Sequence, residues 1–193
     1  MKRHPARVLE PTDVLRLLKH VSTSRMPTRN VVIVLLSFKA GLRACEIAGL
    51  SWQMVLRTDG RVAKHLTVSR HISKYGSGRR IPMHPDLRDA LTNHHSDLGS
   101  PVDGAVIGSS RGGHMTARGI VNWFREAYAA LALKGCSSHS GRRTFITRSA
   151  RSISKVGGSL RDVQELAGHR ALTTTERYIQ GDRDAQRKLI SFI

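Results

Sequence analysis

Cysteine is scarce in this 193-residue chain, with only Cys45 and Cys136 present. Neither belongs to a Cys-x-x-Cys pair, and Met1-Lys2-Arg3-His4-Pro5 does not read as a secretory leader. The sequence therefore predicts a reducing cytoplasm, with neither disulfides nor a structural zinc. Long apolar runs are missing too: the longest, 31–36, falls far short of the ~20 residues that a membrane span needs. No segment repeats and none is low-complexity, which argues against a protein that carries its charge in a tail. Acidic residues are the third deficit. Asp and Glu total 14 against 32 Lys and Arg, a formal net charge of +18. Such a field favours a polyanion as partner, and nucleic acid over a membrane surface.

The carboxylates that do exist are thinly spread. Glu46, Glu165 and Glu176 stand near the motifs described below, too few for a two-metal nuclease, and Glu46 reads as orienting a basic neighbour. Ten histidines are present, but His65, His71 and the pair His94-His95 lack acidic or cysteine partners at ligand spacing. The expectation is no metal and no cofactor.

A hydrophobic content of 39% is enough for one buried core, and the patterning predicts one mainly α domain with a small antiparallel β-sheet. Helices are expected after Glu10-Pro11-Thr12-Asp13, over the all-apolar stretch 30–38, from Arg43 with Ile47 and Leu50 facing inward, and over 85–95. Further helices are expected after a Thr116 cap, over 140–152, and over 159–168 with a stop at Gly168. Strands are expected at 64–69 and 79–83, with another at 105–108. Thr173 and Glu176 resemble a capping box, which would put Tyr178 on a short helix.

The chemistry lies in Arg43, in His139-Ser140-Gly141-Arg142, in Gly168-His169, and in Tyr178. A phosphodiester gains negative charge as a nucleophile adds, so a metal-free catalyst needs fixed cationic donors around the non-bridging oxygens. Arg43 and Arg142 suit that task, because a guanidinium fork donates two parallel bonds and stays charged. His169 can add a third bond. Tyr178 is the candidate nucleophile, a phenol with a pKa near ~10 that needs a base and a cationic field to react. His139 is the candidate proton acceptor or relay, and Lys74, between the two strands, a candidate proton donor to the departing sugar oxygen. Taken singly, each has a plainer reading: Arg43 and Lys74 as backbone contacts, the histidines as satisfied structural groups, Tyr178 as a half-buried amphipathic residue. Their conjunction in this order favours the catalytic one. Arg70, His71, Arg79, Arg80 and Arg143 are read as DNA contacts.

These residues resemble the tyrosine recombinase, or phage integrase, family. Gly41-Leu42-Arg43-Ala44-Cys45-Glu46 is similar to its first-arginine box, and Lys74 before Arg79-Arg80-Ile81-Pro82-Met83 to its hairpin lysine. His139-Ser140-Gly141-Arg142 resembles its His-x-x-Arg box. Leu166-Ala167-Gly168-His169 with Thr173-Thr174-Thr175 and Tyr178 resembles its closing box. Gly141, Arg143 and Ala167 depart from the residues usual at their places.

The resemblance implies a DNA breaking-rejoining catalytic fold over residues 8–180, with an extension at 1–7 and a tail at 181–193 that docks on a neighbouring subunit or on its own domain. It implies a 3′-phosphotyrosyl intermediate on Tyr178, with Arg43, Arg142 and His169 holding the phosphate, Lys74 as general acid and His139 assisting proton transfer. Its expected partner is double-stranded DNA, bound by a homotetramer on paired sites that is weakly associated or monomeric otherwise, with accessory proteins possible and a nucleoid location. A separate core-binding domain is usual ahead of this fold. Residues 1–7 leave no room for one, which points to a compact invertase, an isolated catalytic fragment or a degenerate relic. Rival readings are a type IB topoisomerase and a non-catalytic DNA-binding accessory protein.

Overall fold

An almost wholly apolar helix needs partners on every side, and α2 (Pro27–Lys39) has them: Val32, Ile33, Val34, Leu35, Leu36 and Phe38 are all buried. The computed structural model describes residues 5–73, 76–110, 112–179 and 190–191. Around α2 pack α1 (Pro11–Ser22), α4 (Pro85–Asp97) and α6 (Ser140–Ser152), while α3 (Ala44–Gly49) lies against α5 (Ala117–Ala130). α2 begins three residues before the expected start. Pro27 occupies its first turn, where the missing N–H would have no helical partner anyway.

β1 (His65–Val68) and β2 (Arg79–Pro82) form an antiparallel pair, with Leu66 opposite Ile81 and Val68 opposite Arg79. Leu66, Val68 and Ile81 are buried, so this face joins the core. The expected strand at 105–108 is absent. Val106 and Ile107 are consecutive and both buried, without the alternation of a half-exposed strand, and only single bridges form, Ser51 with Ala105 and Gly108 with His114. The mainly α class with a small antiparallel sheet stands.

The remaining elements make a satellite. α7 (Leu160–Ala167) packs on α6 and α8 (Leu172–Glu176) on α7, and Ile146, Val163 and Ala167 form a second apolar cluster that Phe145, Leu160 and Tyr178 adjoin. α7 starts with a capping box between Ser159 and Asp162. α8 starts at Leu172 after Ala171, so Thr173 lies inside it. Tyr178 falls in the turn beyond it, not on the helix. Lys74 lies outside the described residues, as does the tail 181–193 apart from 190–191.

The two clusters meet where α6 crosses α2. Gly141 makes this approach possible, since a Cβ there would collide with the Ser37 side chain and come within 2.9 Å of Phe38. The lead-in to α1 also holds α6: Thr144 Oγ1 accepts from the Leu9 N–H at 2.9 Å, and Arg148 Nη2 donates to the Leu9 carbonyl at 2.9 Å. Alanine normally stabilises a helix interior relative to glycine by about 1 kcal/mol. Gly141→Ala is nevertheless expected to destabilise the protein by about 1–3 kcal/mol through overpacking. Urea unfolding checks this, and a stabilised variant would contradict the close approach.

Candidate active site

α7 is short, and how it ends decides what gathers around it. A helix leaves its last four carbonyls without helical partners. Gly168, in the left-handed region at φ 62°, turns the chain so that its N–H reaches the Glu165 carbonyl at 3.0 Å and the His169 N–H reaches that of Gln164 at 3.1 Å. The other two carbonyls take arginines. Arg79 Nε donates to Leu166 at 2.8 Å and Arg142 Nη2 to Ala167 at 2.6 Å. Two cations thus sit at the negative end of the α7 dipole, close to His169.

Arg142 projects from the first turn of α6 and is buried. Its Nη1 donates to the Gly41 carbonyl at 2.6 Å, which docks it two residues from Arg43. Burial first, then repulsion from Arg43, pulls its pKa down to about 10, offset in part by Glu46 and Tyr178. The group still stays charged at neutral pH. Nε–H and one Nη1–H are not used by these contacts and remain to meet an anion.

His169 Nε2 stands 2.9 Å from Arg142 Nη2 and Nδ1 stands 2.9 Å from Thr175 Oγ1. Arginine has no acceptor, so Nε2 must accept, which assigns the neutral ring with its proton on Nδ1, donated to Thr175. Burial, then the charges of Arg142, Arg43 and Arg79, lower the His169 pKa from 6.5 to about 4. Sequence reasoning read His169 as a donor toward phosphate. In this arrangement its Nε2 accepts, and donation there requires uptake of a proton.

Tyr178 lies against that ring. Its ring and that of His169 are stacked with centroids 5.6 Å apart and planes at 23°, and Arg143 Cζ is 5.7 Å from the Tyr178 centroid. Backbone bonds hold the turn: Tyr178 N–H to the Thr175 carbonyl at 3.0 Å, and Thr147 Oγ1 to the Tyr178 carbonyl at 3.4 Å.

Arg43 precedes α3 with its side chain 18% exposed. Glu46, with no exposure, accepts the Arg43 backbone N–H at 2.8 Å and its Nη1 at 3.0 Å. Arg79 donates to both Glu46 oxygens at 2.8 and 3.0 Å. Burial pushes the Glu46 carboxyl up, but bonding and charge from Arg79, then Arg43, outweigh it and hold the pKa below its ordinary value. The charged carboxylate is thus secured.

Arg43, Arg142, His169 and Tyr178, scattered in sequence, therefore share one place. His139 is exposed at the start of α6, one turn before Arg142. Arg70, His71 and Arg80 are exposed on or beside the strands. Arg79 faces inward with its side chain only 6% exposed, and Arg143 lies over Tyr178. Thr175 was not singled out from sequence; its place three residues before the tyrosine is the signal that could have found it. Among the described residues no cluster of His, Cys, Asp or Glu could hold a metal, and no helix is long and apolar enough to cross a membrane.

A helical domain with a two-stranded hairpin that brings two arginines, a histidine and a tyrosine together has the fold of tyrosine recombinase catalytic domains. The Tn1549 transposon integrase, in a complex with a circular intermediate DNA, superposes with a TM-score of 0.76 at 19% identity, over 100% of this chain and 67% of that one. The XerA recombinase superposes with a TM-score of 0.74 at 22% identity, over 98% and 65%. In sequence the chain is 30% identical over 189 residues to the tyrosine recombinase XerC of Erythrobacter litoralis (strain HTCC2594), covering 94% of this chain and 58% of that protein. It is 25% identical over 176 residues to XerC of Xanthomonas axonopodis pv. citri (strain 306), covering 91% and 54%. Residues 7–184 match the Phage integrase family, and the chain belongs to it. It spans about half the length of the curated relatives it matches.

The lowered His169 pKa makes a sign-definite prediction. Between pH 6.5 and about 4 the unfolded ring binds a proton that the folded ring refuses. The contribution of neutral His169 to stability is therefore fully present above 6.5 and lost as the pH falls towards about 4. Ring-proton NMR is expected to show His169 titrating well below the ordinary histidine value of 6.5, with Nδ1 protonated at neutral pH. An ordinary titration near 6.5 would contradict the geometry.

Proposed function

We propose that this chain is the catalytic part of a site-specific DNA recombinase that cleaves and rejoins strands through a covalent 3′-phosphotyrosine on Tyr178. What carries the reading is that Tyr178 stacks on His169 while His169 shares a hydrogen bond with Arg142, inside the region that matches the family. The +18 charge of the chain supplies a field that draws duplex DNA to it.

In the proposed reaction the Tyr178 oxygen attacks the scissile phosphorus, the bond to the 5′ oxygen breaks, and the phenolic proton passes to a base. Arg43 and the unused Nε–H and Nη1–H of Arg142 take the non-bridging oxygens, where negative charge grows. As that charge develops it raises the affinity of His169 for a proton, converting Nε2 from an acceptor toward Arg142 into a donor toward phosphate. His139, exposed at the start of α6, is the proposed relay. The 5′ oxygen leaves with a proton from Lys74. Reversal by a different 5′-hydroxyl exchanges strands without ATP, because the aryl phosphate keeps the energy of the broken bond.

Arg70, His71 and Arg80 are proposed as duplex contacts, and Arg143 as a contact whose guanidinium also covers the Tyr178 ring. Four copies on two paired sites complete the exchange, with the segment beyond residue 180 as the proposed subunit contact. The proposed setting is the nucleoid.

The test is incubation with a pool of nicked duplexes of random sequence, in which a short cleaved fragment diffuses away and traps the adduct. The wild-type chain is expected to yield a detergent-stable protein–DNA adduct and Tyr178→Phe none, with duplex binding retained. An undiminished adduct in Tyr178→Phe would refute the nucleophile. Binding is expected to weaken at least ~100-fold between about 50 and 200 mM salt, as release of several counterions requires. Gel shifts across that range check it, and tight binding indifferent to salt would contradict it. Relaxation of a supercoiled plasmid at arbitrary sequence would instead mark a topoisomerase.

A further inference from the structure

We propose that Arg79 is a positioning residue that, through Glu46, sets where the Arg43 guanidinium stands beside Arg142 and His169. The inference rests on the cleavage chemistry proposed above and adds to it a residue that never touches DNA.

Arg79 was expected to face DNA, and its surroundings differ from those of a phosphate contact. One edge of its fork is spent on both oxygens of Glu46, at 2.8 and 3.0 Å, and its Nε–H on the Leu166 carbonyl at 2.8 Å. The side chain is 6% exposed and its carboxylate partner not at all. Its neighbour Arg80 is exposed on the opposite face of β2, as strand alternation requires.

Each partner of Arg79 belongs to a different part of the site. Glu46 fixes both the backbone N–H and the Nη1 of Arg43. Leu166 stands at the end of α7, one residue from the Ala167 carbonyl that holds Arg142 and three from His169. The passage is narrow. A Cβ on Gly168 would lie 3.0 Å from both Cδ and Nη1 of Arg79, and the φ of 62° already favours glycine there. Gly168 thus both turns the chain into His169 and admits Arg79 beneath it.

A bidentate fork fixes the carboxylate in position and in rotation, whereas an ammonium supplies charge without that geometry. Without the fork, Glu46 keeps its charge but loses its orientation, and Arg43 shifts with it. A misplacement of about 1 Å in a group that stabilises the transition state costs about 100-fold in rate.

The experiment compares the wild-type chain with Arg79→Lys on a nicked duplex recovered from the random pool as a wild-type adduct. At saturating duplex, adduct formation by Arg79→Lys is expected to be slower by about 100-fold, with duplex affinity within about twofold of wild type. The same duplex is then made with a methylphosphonate at the scissile position, both diastereomers being used. This removes the charge that Arg43 neutralises, so the gap between variant and wild type is expected to shrink at least about tenfold. Equal rates on the phosphodiester would overturn the proposal. So would a gap of the same size on the methylphosphonate, which would mark Arg79 as structural only. Should Arg79→Lys fail to fold, Glu46→Asp, which keeps the charge and shortens the carboxylate's reach, is read in the same way.

If the wild-type chain captures no duplex at all, it is the proposed function that fails. Inorganic phosphate then serves as the probe, its binding followed through the His169 ring signals. Affinity at least about fivefold lower in Arg79→Lys would support the positioning role, and equal affinities would overturn it.

Discussion

Three guanidiniums stand close together, two of them on the end of a short helix, and their mutual repulsion is the constraint that the rest of the site answers. Arg43, Arg79 and Arg142 share a single buried carboxylate, Glu46, which accepts directly from Arg43 and Arg79. What Glu46 does not offset is met by oriented backbone: the carbonyls of Gly41, Leu166 and Ala167. Carbonyl dipoles carry no net charge, so the cluster is held in place while its positive field is kept for an incoming phosphate. Carboxylates in place of those carbonyls would neutralise it.

The same arrangement explains why His169 is neutral and where its proton lies. A cation on Nε2 and a hydroxyl on Nδ1 leave one tautomer, and the surrounding charges resist a second proton. That makes the ring responsive to what occupies the site. An anion cancels the field that lowers its pKa, so binding and protonation are linked. Tyr178, stacked on this ring in a turn held by backbone bonds, shares the environment without lying on a regular element.

Much of this was legible in the residues. The buried helix of 30–38 and the Gly168 stop follow from periodicity and turn chemistry, and the gathering of Arg43, Arg142, His169 and Tyr178 from the family resemblance of their motifs. The inward placement of Arg79 was legible in strand alternation, since it shares a strand face with buried Ile81, while its charge suggested an outward one. The capping box at Thr173 was a false signal, because Thr, Thr and Thr in succession give several candidate helix starts and packing chooses among them. The Gly41 carbonyl acts through a contact with Arg142, distant in sequence, that no local pattern encodes. The strand expected at 105–108 failed because a short apolar run reads the same whether it pairs or merely fills the core.

The central claim is that this cationic end of α7 serves a nucleophile at Tyr178, and mass spectrometry tests it most directly. The adduct trapped on a nicked duplex is digested with protease and nuclease, and the modified peptide is sequenced. The account predicts a nucleotide attached to Tyr178 and to no other residue. A nucleotide on Tyr75, Tyr128 or any serine, or cleaved strands carrying no peptide, would contradict it.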